Sequence, residues 1–169
     1  MSLTMYSASV PVFVRMLGNM LNWLDKAQEH ADARKFESTN YVGLRLAPDM
    51  LPFNRQIQIA TDGAKGCVAR LTGTEVPKWE DTESTLAELR ARVLKTLDYV
   101  QAFGAERFEG SESREIVLPT RHGDPLRFDG ETYLKHFVLP NFYFHATTTY
   151  ALLRHAGVAL GKRDYLGAA

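Results

Sequence analysis

The sequence predicts an all-α protein: an antiparallel four-helix bundle with a small β-hairpin ahead of the fourth helix. Three observations carry this prediction. Three long segments place apolar residues three and four apart, the period of a helix with one buried face. Glycine, proline and capping residues punctuate the chain between those segments. After Gly104 the period changes to two short extended runs, which fit a hairpin.

The first helix covers about residues 4–31, with Tyr6, Val10, Phe13, Leu17, Met20, Leu21, Leu24 and Ala27 as its apolar stripe. Ser2 or Thr4 is available to cap its start. His30 sits near its C-terminal end, where a partly charged imidazole suits the helix dipole. A polar stretch leads to Asp49; Pro48 bars helix at Ala47, and Pro48 and Pro52 both suit a first turn.

The second helix begins at Asp49 or Met50 and runs to Thr72, with Gly73 as its stop. Its buried stripe is Phe53, Ile57, Ala60, Ala64, Cys67, Val68 and Leu71. Gly63 and Gly66 weaken it intrinsically but let a neighbouring helix come close. Thr85 with Glu88 fits a capping box for the third helix, in which Leu86, Leu89, Val93, Leu97 and Val100 mark the inner face to about Phe103. Glu88, Arg90, Arg92 and Lys95 read as its solvated outer face. Residues 115–118 and 126–128 flank a His-Gly-Asp-Pro turn and form the hairpin. Asp129 caps the fourth helix, which Pro140 must kink or interrupt before it resumes to His155 and closes at Gly157. The tail folds back, with Gly161 and Gly167 as turns. The connections are short enough for sequential helices to be neighbours, except the one before the fourth.

A chain of 169 residues makes one domain, residues 1–169, and buries roughly 70% of its unfolded surface, so it needs no disulfide or metal to fold. Lys plus Arg and Asp plus Glu both number 20, and this zero net charge argues against a nucleic-acid surface. Cys67 is the only cysteine, which excludes an intramolecular disulfide and a cysteine zinc site; it reads as a small buried hydrophobe. The first six residues lack a basic start followed by an apolar core, and no run approaches the ~20 apolar residues of a membrane span. A cytoplasmic protein with no membrane or nucleic-acid partner is the expectation.

The chemistry concentrates in residues 140–155, PNFYFHATTTYALLRH. Asn141 and His145 are four apart and share a helix face, about 40° from one another around the axis. Bundles build sites from polar side chains that project inward from facing helices. On the second helix Gln56 lies nearest the buried face, Gln58 at its margin, and Asp62 mostly outward. Arg45 and Asp49, ahead of that helix, either reach the same end of the bundle or pair with each other. The plainer reading is a hydrogen-bonded network that fixes register around a satisfied histidine. Phe142, Tyr143 and Phe144 cannot all face inward, so at least one covers a surface groove or a partner. No GxSxG, GxxxxGK[ST], HExxH or CxxC occurs, and a serine hydrolase is rejected.

Residues 145–167, HATTTYALLRHAGVALGKRDYLG, resemble the C-terminal pattern of the DinB/YfiT-like superfamily. Residues 45–73, RLAPDMLPFNRQIQIATDGAKGCVARLTG, together with PNFYFH, resemble one uncharacterised bacterial family within it, a domain of unknown function. The likeness extends over essentially the whole chain. It implies an up-down-down-up four-helix bundle, often dimeric. It also implies a divalent metal, commonly zinc or nickel, on three histidines: one on helix two and an HxxxH pair on helix four. His145 falls on the second residue of that pair and Asn141 on the first; Gln56 or Gln58 stands near the remaining position, with Ile59 there in another register. Two of the three imidazoles are therefore replaced, and carboxamide oxygens are weak ligands for such metals.

The resulting expectation is a degenerate metal site of His145, Asn141 and Gln58, with Gln56, Asp62, Asp49 and Arg45 around a pocket. Such a pocket would bind a small molecule, or run a metal-dependent transferase-like reaction if a metal is retained. The alternative is a non-catalytic homodimer that serves assembly or partner docking. Whether the protein is an enzyme stays open at this point.

Overall fold

In a computed structural model, which describes residues 3–120 and 122–167, helix α1 spans Val10–Arg34. Phe13, Leu17, Met20, Trp23 and Leu24 on its inner face are almost wholly inaccessible to water. The helix starts later than its apolar period suggests, because residues 5–9 form turns: Ser7 donates to the Thr4 carbonyl and Ser9 to that of Met5. Thr4 consequently does not cap α1, and Ser2 lies outside the described residues.

Helix α2 covers Phe53–Thr72 and α3 covers Leu86–Gln101. The start of α2 is set by tertiary backbone contacts. Phe53 N–H donates to the Leu44 carbonyl at 2.8 Å and Asn54 N–H to that of Val42 at 3.3 Å, so the preceding connection satisfies donors that the helix leaves open. The stripe of Phe53, Ile57, Ala60, Ala64, Cys67, Val68 and Leu71 is fully buried, and Gly73 closes the helix in the left-handed region at φ 70°. At α3 the capping box forms: Glu88 N–H donates to Thr85 Oγ1 at 3.2 Å, and Thr85 N–H to Glu88 Oε2 at 3.0 Å.

The hairpin pairs β1 (Glu115–Leu118) with β2 (Leu126–Asp129) in antiparallel register, Glu115 opposite Asp129 and Leu118 opposite Leu126. Ile116 and Leu118 face the core. Asp129 then caps helix α4, its Oδ1 accepting the Thr132 N–H at 2.7 Å. Helix α4 runs over residues 130–155 as a short α turn (Gly130–Thr132), a π-helical stretch (Tyr133–Val138) and a long α-helix (Leu139–His155). Pro140 therefore neither breaks the rod nor leaves a gap. A π-helical stretch directly precedes it, an arrangement found where the regular α-helical ladder is interrupted. Gly130 is obligatory here: a Cβ would overlap the Ser111 carbonyl oxygen and stand 3.1 Å from Leu71 Cδ2.

Side-chain pairs give the helix directions. Asn54 with Glu83, just ahead of α3, and Asp62 with Arg92, within it, ascend together, so α2 and α3 are parallel. Gln56 with His145 and Arg70 with Tyr133 run oppositely, so α2 and α4 are antiparallel. Phe13 with Phe142 and Trp23 with Tyr150 make α1 and α4 parallel. The order around the bundle is α1, α3, α2, α4, the up-down-down-up arrangement. One expectation about connections is corrected by this. Helices α1 and α2 are diagonal rather than adjacent, and residues 73–85 run back along the bundle so that α3 can start beside the start of α2. A short helix α5 (Lys162–Leu166) straps the C-terminal segment onto α1: Trp23 Nε1 donates to the Asp164 carbonyl, Asn19 Nδ2 to that of Tyr165, and Lys26 pairs with Asp164 at 2.6 Å.

Candidate functional site

Helices α2 and α4 bring Gln56 and His145 together. His145 Nδ1 lies 2.7 Å from Gln56 Oε1, and the other end of that amide, Nε2, donates to the Leu51 carbonyl at 2.8 Å. Gln56 is buried because it sits one position before Ile57 on the inner stripe, and His145 because it follows Phe142 by one helical turn. The imidazole keeps 7% of its surface exposed. Its Nε2 has no hydrogen-bond partner among the described residues and is not one of their fully enclosed, unpartnered polar atoms, so this nitrogen is not sealed from solvent. Burial pushes the imidazole pKa below its ordinary value, which keeps the ring neutral near neutral pH.

Beside the ring runs an apolar groove of about 370 Å³, walled by Leu46, Tyr143, Phe144, Thr147, Thr148 and Ala151. The Phe144 ring forms part of that wall and stands edge-on to His145, centroids 5.1 Å apart. Of the three consecutive aromatics, Phe142 is in the core, while Tyr143 and Phe144 line this groove; Phe144 is 54% exposed and Leu46 55%.

The remaining candidates lie elsewhere. Asn141 is half-buried near Gly63 and bonds to neither His145 nor Gln56. Gln58 is fully buried instead of marginal, because residues 73–85 fold over it: its Oε1 accepts from Arg55 Nη1 at 2.7 Å and its Nε2 donates to Glu83 at 2.7 Å. Asp62 pairs with Lys65 at 2.8 Å and with Arg92 at 3.0 Å. Arg45 donates to the Met50 carbonyl and Asp49 is exposed, so these two stay on the connection and do not pair with each other.

Arg92 departs from the solvated role its place in the sequence suggests. Its side chain is 2% exposed and all five of its N–H donors are used. Nε donates to Thr61 Oγ1, Nη1 to Glu83 and to the Glu80 carbonyl, and Nη2 to Asp62 and Asp81, at 2.9–3.0 Å. Trp79 of the same connection is held under two ammonium groups, Lys65 at 4.3 Å and Lys95 at 4.4 Å from the ring centre. The usable signal was that Arg92 is flanked by Leu89, Val93 and Thr96, at the edge of the inner stripe.

A divalent metal on the three-residue pattern implied by the resemblance does not fit these side chains. Gln56 Oε1 already faces an imidazole N–H, Gln58 is engaged on the α3 side, and Asn141 adds one neutral amide. Among the described residues no group of three or more His, Cys, Asp or Glu is arranged to hold a metal ion.

Comparison with known proteins places the chain beside a sequence family and solved structures. A family model described as a domain of unknown function, DUF1993, matches residues 5–166. A crystal structure described as a DinB family member protein from Shewanella denitrificans is similar over 97% of this chain and 92% of its own, at 42% identity and a TM-score of 0.90. No curated protein matches. Among the described residues no helix is long and apolar enough to cross a membrane.

Proposed function

We propose that this chain, which belongs to the DUF1993 family of DinB-like helical bundles, binds a small and largely apolar molecule in the groove beside His145. One observation carries the reading: a neutral imidazole, satisfied on one nitrogen by Gln56 and not sealed at the other, stands against the Phe144 ring that walls the groove with Tyr143 and Leu46. Small-molecule sites combine apolar walls with a few placed polar groups in this way. The reading needs no metal, because the residues present supply one imidazole and no carboxylate at the site.

Amide-detected NMR of the labelled protein with a panel of phenols and aromatic amines tests it. Shifts should cluster at Leu46, Phe144, His145 and Thr148 and weaken in His145→Ala. No panel member perturbing those residues, or perturbations surviving both His145→Ala and Phe144→Ala, would overturn it. Zinc and nickel titrations by calorimetry are expected to give no stoichiometric uptake that depends on His145.

The exposed Phe144 and Leu46 favour a second reading, in which the same face docks a second copy of the chain. Phe144 would then meet the small residues Thr147, Thr148 and Ala151 of its partner, a large side chain opposite a shallow surface. Light scattering separates the two: a dimer that Phe144→Ala makes monomeric supports docking, and a monomer at micromolar concentration excludes it.

A further inference from the structure

We infer that the Leu51 carbonyl, acting through Gln56, decides which nitrogen of His145 carries the proton, and so makes the outward face of the site a hydrogen-bond acceptor. A glutamine amide has one donating and one accepting end. The end of Gln56 that lies 2.8 Å from the Leu51 carbonyl must be the NH2 group, since a carbonyl only accepts. The oxygen therefore faces His145 Nδ1 at 2.7 Å, and a ring nitrogen against a carboxamide oxygen must donate. In the neutral ring the proton is then on Nδ1 and the lone pair on Nε2, the nitrogen left without a protein partner and not sealed from solvent, on a ring that stands against Phe144.

The Leu51 carbonyl is itself held in place. The connection that carries it is tied down by the bonds from Phe53 N–H to Leu44 and from Asn54 N–H to Val42. The same connection contributes Leu46 to the groove. One backbone segment thus forms an apolar wall and sets the polarity of the histidine opposite it. Gln56 is a positioning residue: it touches no ligand but aims the group that does. Combined with the binding proposed above, on which this second step rests, the tautomer selects molecules that present an O–H or N–H to the rim over matched molecules that present an acceptor.

The test reads the tautomer directly. Long-range proton–nitrogen correlation spectra of histidine-labelled protein, at a pH where the ring is neutral, separate a protonated from an unprotonated ring nitrogen. For the intact chain a protonated Nδ1 and a bare Nε2 are expected at His145. Gln56→Met keeps the shape of the side chain and removes the acceptor; the Nε2-protonated form should then appear. Gln56→Glu restores an acceptor at the same place and should keep Nδ1 protonated, which a purely space-filling role for Gln56 would not require. A bare Nδ1 in the intact chain, or populations that Gln56→Met leaves unchanged, would overturn the inference. Phenol should bind roughly tenfold tighter than its methyl ether, the worth of one hydrogen bond, and the ratio should collapse in Gln56→Met. If neither molecule binds while the nitrogen signals are as expected, it is the binding reading that fails and the tautomer assignment that stands.

Discussion

Replacing Arg92 by Met removes a guanidinium that is 2% exposed while keeping an unbranched stem to fill its channel. Its five N–H donors serve three carboxylates, one carbonyl and one hydroxyl. Taking one partner out of a buried ion pair costs about 3–5 kcal/mol, because the charges left behind stay desolvated. The stranded carboxylates here differ in exposure, Glu83 at 14%, Asp81 at 31% and Asp62 at 42%, so two of them recover much of their hydration. The lower end of that range applies, about 3 kcal/mol. For a chain of this size that is roughly 6–12 °C in Tm. Urea titration followed by circular dichroism measures it, with an unchanged m-value as the sign that the folded state remains compact. Trypsin cleavage at Lys78 should accelerate in the same variant, because Arg92 ties residues 80–83 to α2 and α3. A loss below about 1 kcal/mol with unaltered cleavage would refute the reasoning. The cost of desolvating the guanidinium would then cancel its attractions, and Arg55 with Asp81 and the lysines around Trp79 would hold the connection.

Three further outcomes follow from local geometry. Thr85→Ala removes one half of the capping box at α3 and should cost about 1 kcal/mol by urea titration, with Thr85→Ser restoring most of it. Gly130→Ala drives a methyl into the Ser111 backbone; the loss should reach or exceed the ~3 kcal/mol upper end for overpacked sites, seen as a low Tm or insoluble expression. For His145 the folded pKa lies below the ordinary 6.5, so as pH falls the unfolded chain takes up the proton first. The folded state is penalised below about pH 6.5 and not above it. Between about pH 7.5 and 5.5, His145→Gln should therefore lose less stability than the intact protein, and equal losses would contradict the assignment.

Much of the architecture was legible because it is written in local pattern. The α2 stripe, the Thr85–Glu88 box and the Asp129 cap need only the residues within a few positions of themselves. The proximity of His145 to the second helix was legible through helical geometry and family likeness, and Gln56 was correctly placed at the buried face, though Gln58 is buried as fully. Other features depend on partners far along the chain. Gln58 and Arg92 are buried by the path of residues 73–85, and no property of α2 or α3 alone reports that path. The Leu51 contribution is a carbonyl, which every residue carries, so no side-chain pattern marks it. Gly130 looked like an ordinary glycine after a strand, and its necessity arises from a turn at Ser111.

The π-helical stretch at Tyr133–Val138 also bears on how this helix tolerates changes in length. A π turn closes on i→i+5 bonds, so it holds one residue more than the α turn it replaces. That surplus makes residues 133–138 the one part of α4 where a single-residue deletion can be absorbed by reversion to ordinary α geometry. The same deletion between Pro140 and His145 has no such reserve and would swing the imidazole about 100° around the axis, off Gln56 and away from the groove. Helix four therefore contains a spare residue upstream of its site and none within it, and insertions or deletions in DUF1993 chains should collect at the first place and avoid the second.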